Sequence, residues 1–318
     1  MRLGLLPLLL AGIIVAGGAV GACNYGMFPR SLPASGRLVP VGSAPAPVAA
    51  SGARLDLALA LEQRGMSAEL PMPLPDGPGR VGLSNAAADG TRILALLREE
   101  GKDLRLVDAR EIQVLADPKL TIGATAAEPR LVVVQSANTS GAPEYTAFRP
   151  GAGGLEPMDF LALMAPPAPA PQGVSVAIDV YRNVLYYYEN GKLAKVFRVA
   201  TGKDFLKQVK ATAENSATPI GLFHVKLLEP NPAYTPAPGS SHKEKIAGGA
   251  PDNPLGRYFL GLDADPSNYR LWAIHGNIEP GAIGNWASEG CIRLDPGNLE
   301  FLFTRVQMNT PVRIYKSA

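Results

Sequence analysis

Seven consecutive residues, Ala165-Pro166-Pro167-Ala168-Pro169-Ala170-Pro171, divide this chain. Proline has no backbone N–H and holds φ near its own fixed value, so neither a helix interior nor a paired inner strand runs through such a segment. Whatever lies on each side must bury a core of its own, and a chain of 318 residues is long enough for two. A semi-extended linker over 165–172 and a domain boundary are the expectation.

Beyond Pro171 the apolar period is two. Val174, Val176, Ile178 and Val180 alternate with Ser175, Ala177 and Asp179, the pattern of a half-buried strand. Residues 185–188 and 193–199 flank Asn190-Gly191, a pair that tolerates positive φ and so predicts a hairpin turn. Phe223, Val225 and Leu227 predict another strand, as do 271–275, 292–294 and 312–315. One helix is expected near the end. Asp295 is placed to cap it, Pro296 to open it, and Leu299, Leu302, Phe303 and Val306 form its apolar stripe. Residues 173–318 therefore read as a mainly β domain with one short helix.

Residues 52–164 read as a small α/β domain. Leu55–Arg64 and Thr91–Glu100 carry helical apolar spacing, the second through Ile93, Leu94, Leu96 and Leu97 with Gly101 placed to end it. Residues 131–134 are a β-branched run, and 144–148 alternate weakly. This part holds no histidine, no cysteine and no glycine-rich phosphate loop, so substrate contact, partner contact or spacing is its expected role.

At the N-terminus, Met1-Arg2 precedes an uncharged apolar run from Leu3 to Ala22, the composition of an export signal or anchor over 1–23. The run ends in Ala19-Val20-Gly21-Ala22-Cys23, small residues before a cysteine, which resembles a lipobox; Cys23 is then the lipidated first residue of the mature protein. The alternative is an uncleaved anchor helix. Both place the chain in the cell envelope or periplasm, tethered to a membrane. Residues 24–51 are rich in proline, alanine, glycine and serine and are expected to form a disordered tether. A net charge of +2 with no basic block gives no reason to invoke nucleic acid.

With two cysteines in the chain, Cys23 leaves Cys291 as the one thiol of the exported part, so neither a disulfide framework nor a paired-cysteine zinc site is available. Gly290 permits a tight turn before the thiol. Alternation then sends Ile292 and Leu294 to the core while Cys291 and Arg293 face a groove, where the guanidinium favours thiolate. A nucleophilic cysteine needs a base, and there are three histidines. His224 lies on the Leu222-His224-Lys226 face of its strand and reads as solvated or structural, and His242 lies in a loop. His275 ends the run Leu271-Trp272-Ala273-Ile274-His275, just before Gly276-Asn277, where an imidazole reaches across a cleft. No pair of these residues has metal-ligand spacing, so no metal or cofactor is expected.

Ile274-His275-Gly276, the loop through Gly281 and Gly284, and Ser288-x-Gly290-Cys291-Ile292-Arg293-Leu294 together resemble the signature of the L,D-transpeptidase catalytic domain, YkuD type. Val199-x-Thr201-Gly202-Lys203, Thr218-Pro219-Ile220-Gly221-x-Phe223, Asn231-Pro232, Asn253-Pro254-Leu255-Gly256 and Thr310-Pro311-Val312 stand in the matching order. The resemblance runs from about Val174 to the C-terminus and leaves 24–172 uncovered. It implies a β-sandwich with Cys291 at the mouth of a channel, and acyl transfer on peptidoglycan stem peptides. In that chemistry Cys291 attacks the carbonyl before the terminal D-Ala of a tetrapeptide stem, and His275 carries the proton. The amides near Gly290 and Cys291 serve the oxyanion, with Gly276, Ser288 and Glu289 orienting the pair. The acceptor is the amine of a second stem, giving a 3→3 cross-link, or that of an envelope protein. Arg293, Asn277 and Tyr234 are candidate substrate contacts, Arg293 alternatively supporting only the turn. The loop 229–251 reads either as a lid or as an exposed connection.

One position departs from the family, which usually carries histidine where this chain has Glu289. Either the Glu289 carboxylate orients His275, or Glu289 faces solvent and the carbonyl of Gly276 does so. Two other activities remain open on the same residues: a hydrolase using water as acceptor, and a peptidoglycan-binding module without turnover.

Overall fold

The computed structural model describes residues 38–39, 49–114, 116–123, 130–151, 153–236 and 243–317. The expected anchor over 1–23 with Cys23, most of the 24–51 stretch, and His242 lie outside them.

The first unit comprises β1 (Leu38–Val39), α1 (Ala49–Arg64), β2 (Met66–Pro71), β3 (Gly79–Ser84), β4 (Thr91–Glu100), β5 (Asp103–Gln113), β6 (Ala116–Gly123), β7 (Leu131–Ala137), β8 (Pro143–Gly151), β9 (Gly154–Met158) and the single turn α2 (Phe160–Leu163). These form one sheet in the order β1-β5-β4-β3-β2 and a second in the order β6-β7-β8-β9. Val81, Leu94 and Leu96 of the first meet Val132, Val134, Phe148 and Leu155 of the second in a single core. On the far side of the first sheet, Ala58 and Leu61 of α1 cover Ile93, Ala95 and Leu97. Within the stretch expected to be a tether, Leu38-Val39 pairs in parallel with Leu104-Arg105.

The helix expected over Thr91–Glu100 is instead the strand β4, so this unit is largely β rather than evenly mixed. Residues 93–97 are all fully buried because both faces of β4 are covered, and a strand buried on both faces loses its alternation and mimics helical spacing. Burying a Leu or Ile contributes about 1.5–3 kcal/mol, which outweighs helix-propensity differences of at most about 0.7 kcal/mol per residue. Gly101, at φ 67°, lies in the two-residue turn between Glu100 and Asp103 rather than ending a helix.

The second unit contains β10 (Val174–Asp179), β11 (Val184–Glu189), β12 (Lys192–Arg198), β13 (Thr201–Gly202), β14 (Gly221–Pro230), β15 (Tyr258–Leu262), β16 (Ala273–His275), β17 (Trp286–Ser288), β18 (Ile292–Arg293), α3 (Pro296–Phe303) and β19 (Pro311–Tyr315). Eight of these strands form one sheet, β12-β11-β10-β19-β14-β15-β16-β18. β14 belongs to both halves of it: Gly221–His224 pairs with β19 and Val225–Pro230 pairs with β15, the latter with a register shift between Val225 and Leu227. The halves share one core, with Val176, Ile178, Leu185 and Tyr187 from one side and Leu260, Ile274, Ile292 and Leu294 from the other. Leu299 and Leu302 of α3 close this core; Asp295 sits at the N-cap position without a side-chain cap bond, and Pro296 opens the helix. The hairpin expected at Asn190-Gly191 is present, with φ 49° and 77°.

β10 was expected to be half buried and is buried on both faces. Its outer side, with Ala177 next to Tyr186 and Tyr188 of β11, is packed by Leu161, Ala165 and Ala168, and the Tyr188 hydroxyl donates to the Pro166 carbonyl. The proline-rich segment therefore lies against the second unit, covering the face that the alternation of β10 assigns to solvent.

Candidate active site

Strand pairing alone brings the candidate pair together. β16 lies beside β18 in parallel, with Ile274 opposite Ile292 and His275 opposite Arg293, so Cys291 enters β18 next to the imidazole strand. Ile292 and Leu294 are fully buried in the core, while His275, Cys291 and Arg293 line one cavity of about 790 Å³. That division of faces follows the alternation of the sequence.

The nucleophile turn is held by side chains. Ser288, fully buried, donates its hydroxyl to the Cys291 carbonyl at 2.5 Å and accepts the Gly290 N–H at 3.1 Å. Thr218 donates to the Gly290 carbonyl at 2.9 Å while accepting the Gly202 N–H at 2.8 Å. Gly290 has φ 116°, and a Cβ there would stand 3.1 Å from the Ala217 carbonyl oxygen, so only glycine fits without strain. Of the two amides expected at the oxyanion, that of Gly290 is thus committed to Ser288. Sequence reasoning noted Thr218-Pro219 only as a motif; its function in the turn is visible once the loop after β13 packs against Gly290.

His275 is 5% exposed, with its Nδ1 2.8 Å from the Gly276 carbonyl oxygen. A carbonyl only accepts, so Nδ1 carries the proton and Nε2 holds its lone pair. Of the two orienting partners considered for His275, Gly276 is the one in hydrogen-bond contact, and Glu289 is exposed on the cavity wall. Burial, and next the Arg293 charge, push the imidazole down to about 4 against the pull of the Gly276 carbonyl. Burial likewise pushes the Cys291 thiol up, and a backbone contact at Ala273 together with Arg293 only partly opposes it. The resting pair is therefore neutral thiol and neutral imidazole.

Arg293 donates to Glu279 at 2.6 Å. Tyr234 lines the cavity, its backbone bridged to Ile246, along with Ala233 and Thr235 from the loop 229–251. Asn277 is not among the cavity-lining residues: its amide donates to the Glu279 carbonyl at 2.8 Å, which turns it away from the expected substrate contact. The cavity is also lined by Arg270, paired with Glu229, and by Lys203. Tyr234 was a candidate from the sequence, whereas Arg270 lies in a stretch with no periodicity and nothing in the sequence singled it out. His224 is engaged elsewhere, with Nδ1 3.2 Å from Asp263.

Residues 173–314 match the family model described as L,D-transpeptidase catalytic domain, YkuD. YqjB of Bacillus subtilis strain 168 is 33% identical over 146 residues, covering 46% of this chain and 73% of YqjB. ErfK/SrfK of Escherichia coli K12 is 29% identical over 148 residues, covering 44% of this chain and 43% of that protein. YbiS of the same strain is 32% identical over 141 residues, covering 41% and 40%. All three carry L,D-transpeptidase names. The chain thus spans most of YqjB but less than half the length of either E. coli protein.

Proposed function

The chain belongs to the YkuD family of L,D-transpeptidase catalytic domains, and on that premise we propose that it is a peptidoglycan L,D-transpeptidase working by cysteine acyl transfer. The observation that carries the residue assignment is a neutral imidazole, fixed through Nδ1 on Gly276, in one cavity with the only described thiol. Cys291 Sγ attacks the carbonyl between the third residue of a tetrapeptide stem and its terminal D-Ala. Nε2 of His275 takes the thiol proton as the S–C bond forms and delivers it to the amine of D-Ala as the C–N bond breaks. The N–H of Cys291 serves the oxyanion, a contribution of about 3 kcal/mol in comparable sites. An amine of a second stem then attacks the thioester, releasing the thiol and leaving a 3→3 cross-link; an envelope protein amine is the other acceptor. Arg293 acts by its field on Cys291, while Tyr234 meets the stem at the cavity wall. The uncharged segment before Cys23 supports export and a membrane tether for this enzyme.

Incubation with tetrapeptide-stem muropeptides, read by mass spectrometry, tests the proposal. A 3→3 dimer with free D-Ala is expected. D-Ala release without dimer would make the enzyme a hydrolase, and binding without turnover would make it a recognition module.

Two further outcomes follow from the geometry. Because His275 Nδ1 is held by Gly276, Glu289→Gln leaves the acylation rate within about twofold of wild type; a tenfold loss would hand the orienting role to Glu289. The pH profile of kcat/KM should lack an inflection near the ordinary histidine pKa of 6.5, and its acid limb should fall only as pH drops through about 4, where the imidazole protonates. An acid limb centred near 6.5 would refute a neutral, buried base.

A further inference from the structure

The segment leading to the nucleophile turn is gripped from outside its own unit. Among the described residues β17 pairs with β13 alone, over Thr201 and Trp286 and over Gly202 and Ser288. The Trp286 N–H that this pairing leaves over donates to Ser140 Oγ at 3.1 Å, in the turn between β7 and β8. From the same turn, Asn138 Nδ2 donates to the Gly284 carbonyl at 2.9 Å, which also accepts Asn183 Nδ2 at 3.2 Å. One carbonyl is thus held by an amide from each unit. Beside it, Glu144 of β8 pairs with Arg198 of β12, and a Cβ on Gly284 would stand 2.9 Å from that guanidinium, so the loop is seated directly on the ion pair.

The turn is built to present these groups. Asn138 Oδ1 accepts the Ser140 N–H, the Ser140 hydroxyl and the Ala142 N–H at 2.9–3.0 Å, which fixes Ser140 Oγ as the acceptor for Trp286. Trp286 is then clamped on its other sides, with Nε1 donating to the Val180 carbonyl at 2.8 Å and its ring stacked on Phe205 at 4.4 Å. Two residues later comes Ser288, whose hydroxyl holds the Cys291 carbonyl.

We infer that the Asn138–Ala142 turn of the first unit is a positioning element for the nucleophile, with Ser140 and Glu144 setting the placement of Cys291 through Gly284, Trp286 and Ser288. This rests on Cys291 being the nucleophile, as proposed above. It gives the first unit a part in the reaction, although none of its described residues lines the cavity that holds Cys291. A displacement of about 1 Å at reacting atoms costs up to about 100-fold in rate, so a support linked to Cys291 through two hydrogen bonds and the backbone between them has a measurable share.

The test uses the full chain with Ser140→Ala, Ser140→Thr and Glu144→Gln, and with Glu156→Gln as a control that breaks the exposed Arg149–Glu156 pair of the same unit. Ser140→Ala is expected to lower kcat for stem acylation about tenfold with KM within about twofold, and Ser140→Thr, which keeps the hydroxyl, to restore most of it. Glu144→Gln should lower kcat several-fold, and Glu156→Gln should not change it. Alkylation of Cys291 by iodoacetamide provides a readout independent of peptidoglycan. In Ser140→Ala it should slow near pH 7, where the thiol depends on His275, and converge with wild type at a pH high enough to ionise the thiol directly. Unchanged kcat and unchanged alkylation in folded Ser140→Ala and Glu144→Gln overturn the inference, as does an equal loss in Glu156→Gln. Should Ser140→Ala not fold, Glu144→Gln decides by the same readings. A wild-type enzyme that alkylates normally but ignores stems refutes the transpeptidase reading and leaves the alkylation comparison to decide the positioning role.

Discussion

Cys291→Ala abolishes acyl-enzyme formation and every product derived from it, a loss of about 10⁴-fold or more in kcat. Binding of the stem survives, because the cavity is formed by backbone loops and by residues such as Tyr234 and Trp272 that the substitution does not touch. His275→Gln gives a loss of similar order, since the resting thiol is neutral and, without Nε2, has no base to remove its proton; the Leu271 carbonyl that it faces only accepts a hydrogen bond. The two residues act as a unit, so the double variant is no worse than Cys291→Ala alone. Mass spectrometry of the protein after exposure to a tetrapeptide stem provides the measurement. An adduct on Cys291→Ala would place the nucleophile elsewhere, and a double variant markedly slower than either single one would show that the two residues work separately.

Asp179→Ala should destabilise the second unit by about 3–5 kcal/mol. Asp179 is fully buried at the end of β10. Its Oδ2 accepts Arg182 Nη1 at 2.9 Å, and its Oδ1 accepts the N–H groups of Tyr181 at 3.0 Å and Ser317 at 3.2 Å. Alanine would leave a guanidinium that is only 7% exposed without its counter-charge, and several backbone donors without an acceptor. Asp179→Asn retains an acceptor and should cost less. The chain's two tryptophans, Trp272 and Trp286, both lie in the second unit, so urea unfolding followed by their fluorescence reports on it, Trp286 sensing also the Ser140 turn of the first unit. A midpoint unchanged by Asp179→Ala would show that Arg182 finds water or another partner.

The second unit was legible because most of its side chains alternate and its turns are built from residues with one conformational use, such as Asn190-Gly191. The candidate pair was legible for the same reason: one thiol and one strand-end imidazole were separated from the core by alternation. β4 was not, since five successive buried residues carry no period once both faces are covered. β10 was misjudged in the same direction, as its outer face is covered by a segment outside the sheet. Asn277 was a candidate substrate contact, and its amide instead donates to the Glu279 carbonyl two residues on. Ser140 and Asn138 were invisible, because a hydrogen bond between residues 146 positions apart leaves no local trace.

The proline-rich segment at 165–171 has a consequence for cleavage. A peptidase takes its substrate as an extended strand and recognises it largely through backbone N–H groups paired across its cleft. Pro166, Pro167, Pro169 and Pro171 offer none, and Ala165 and Ala168 are occupied against the tyrosine face of β11. The joint between the units, where a flexible connection would be nicked first, is thus a poor substrate, and the turn that steadies the nucleophile stays covalently joined to the domain it serves.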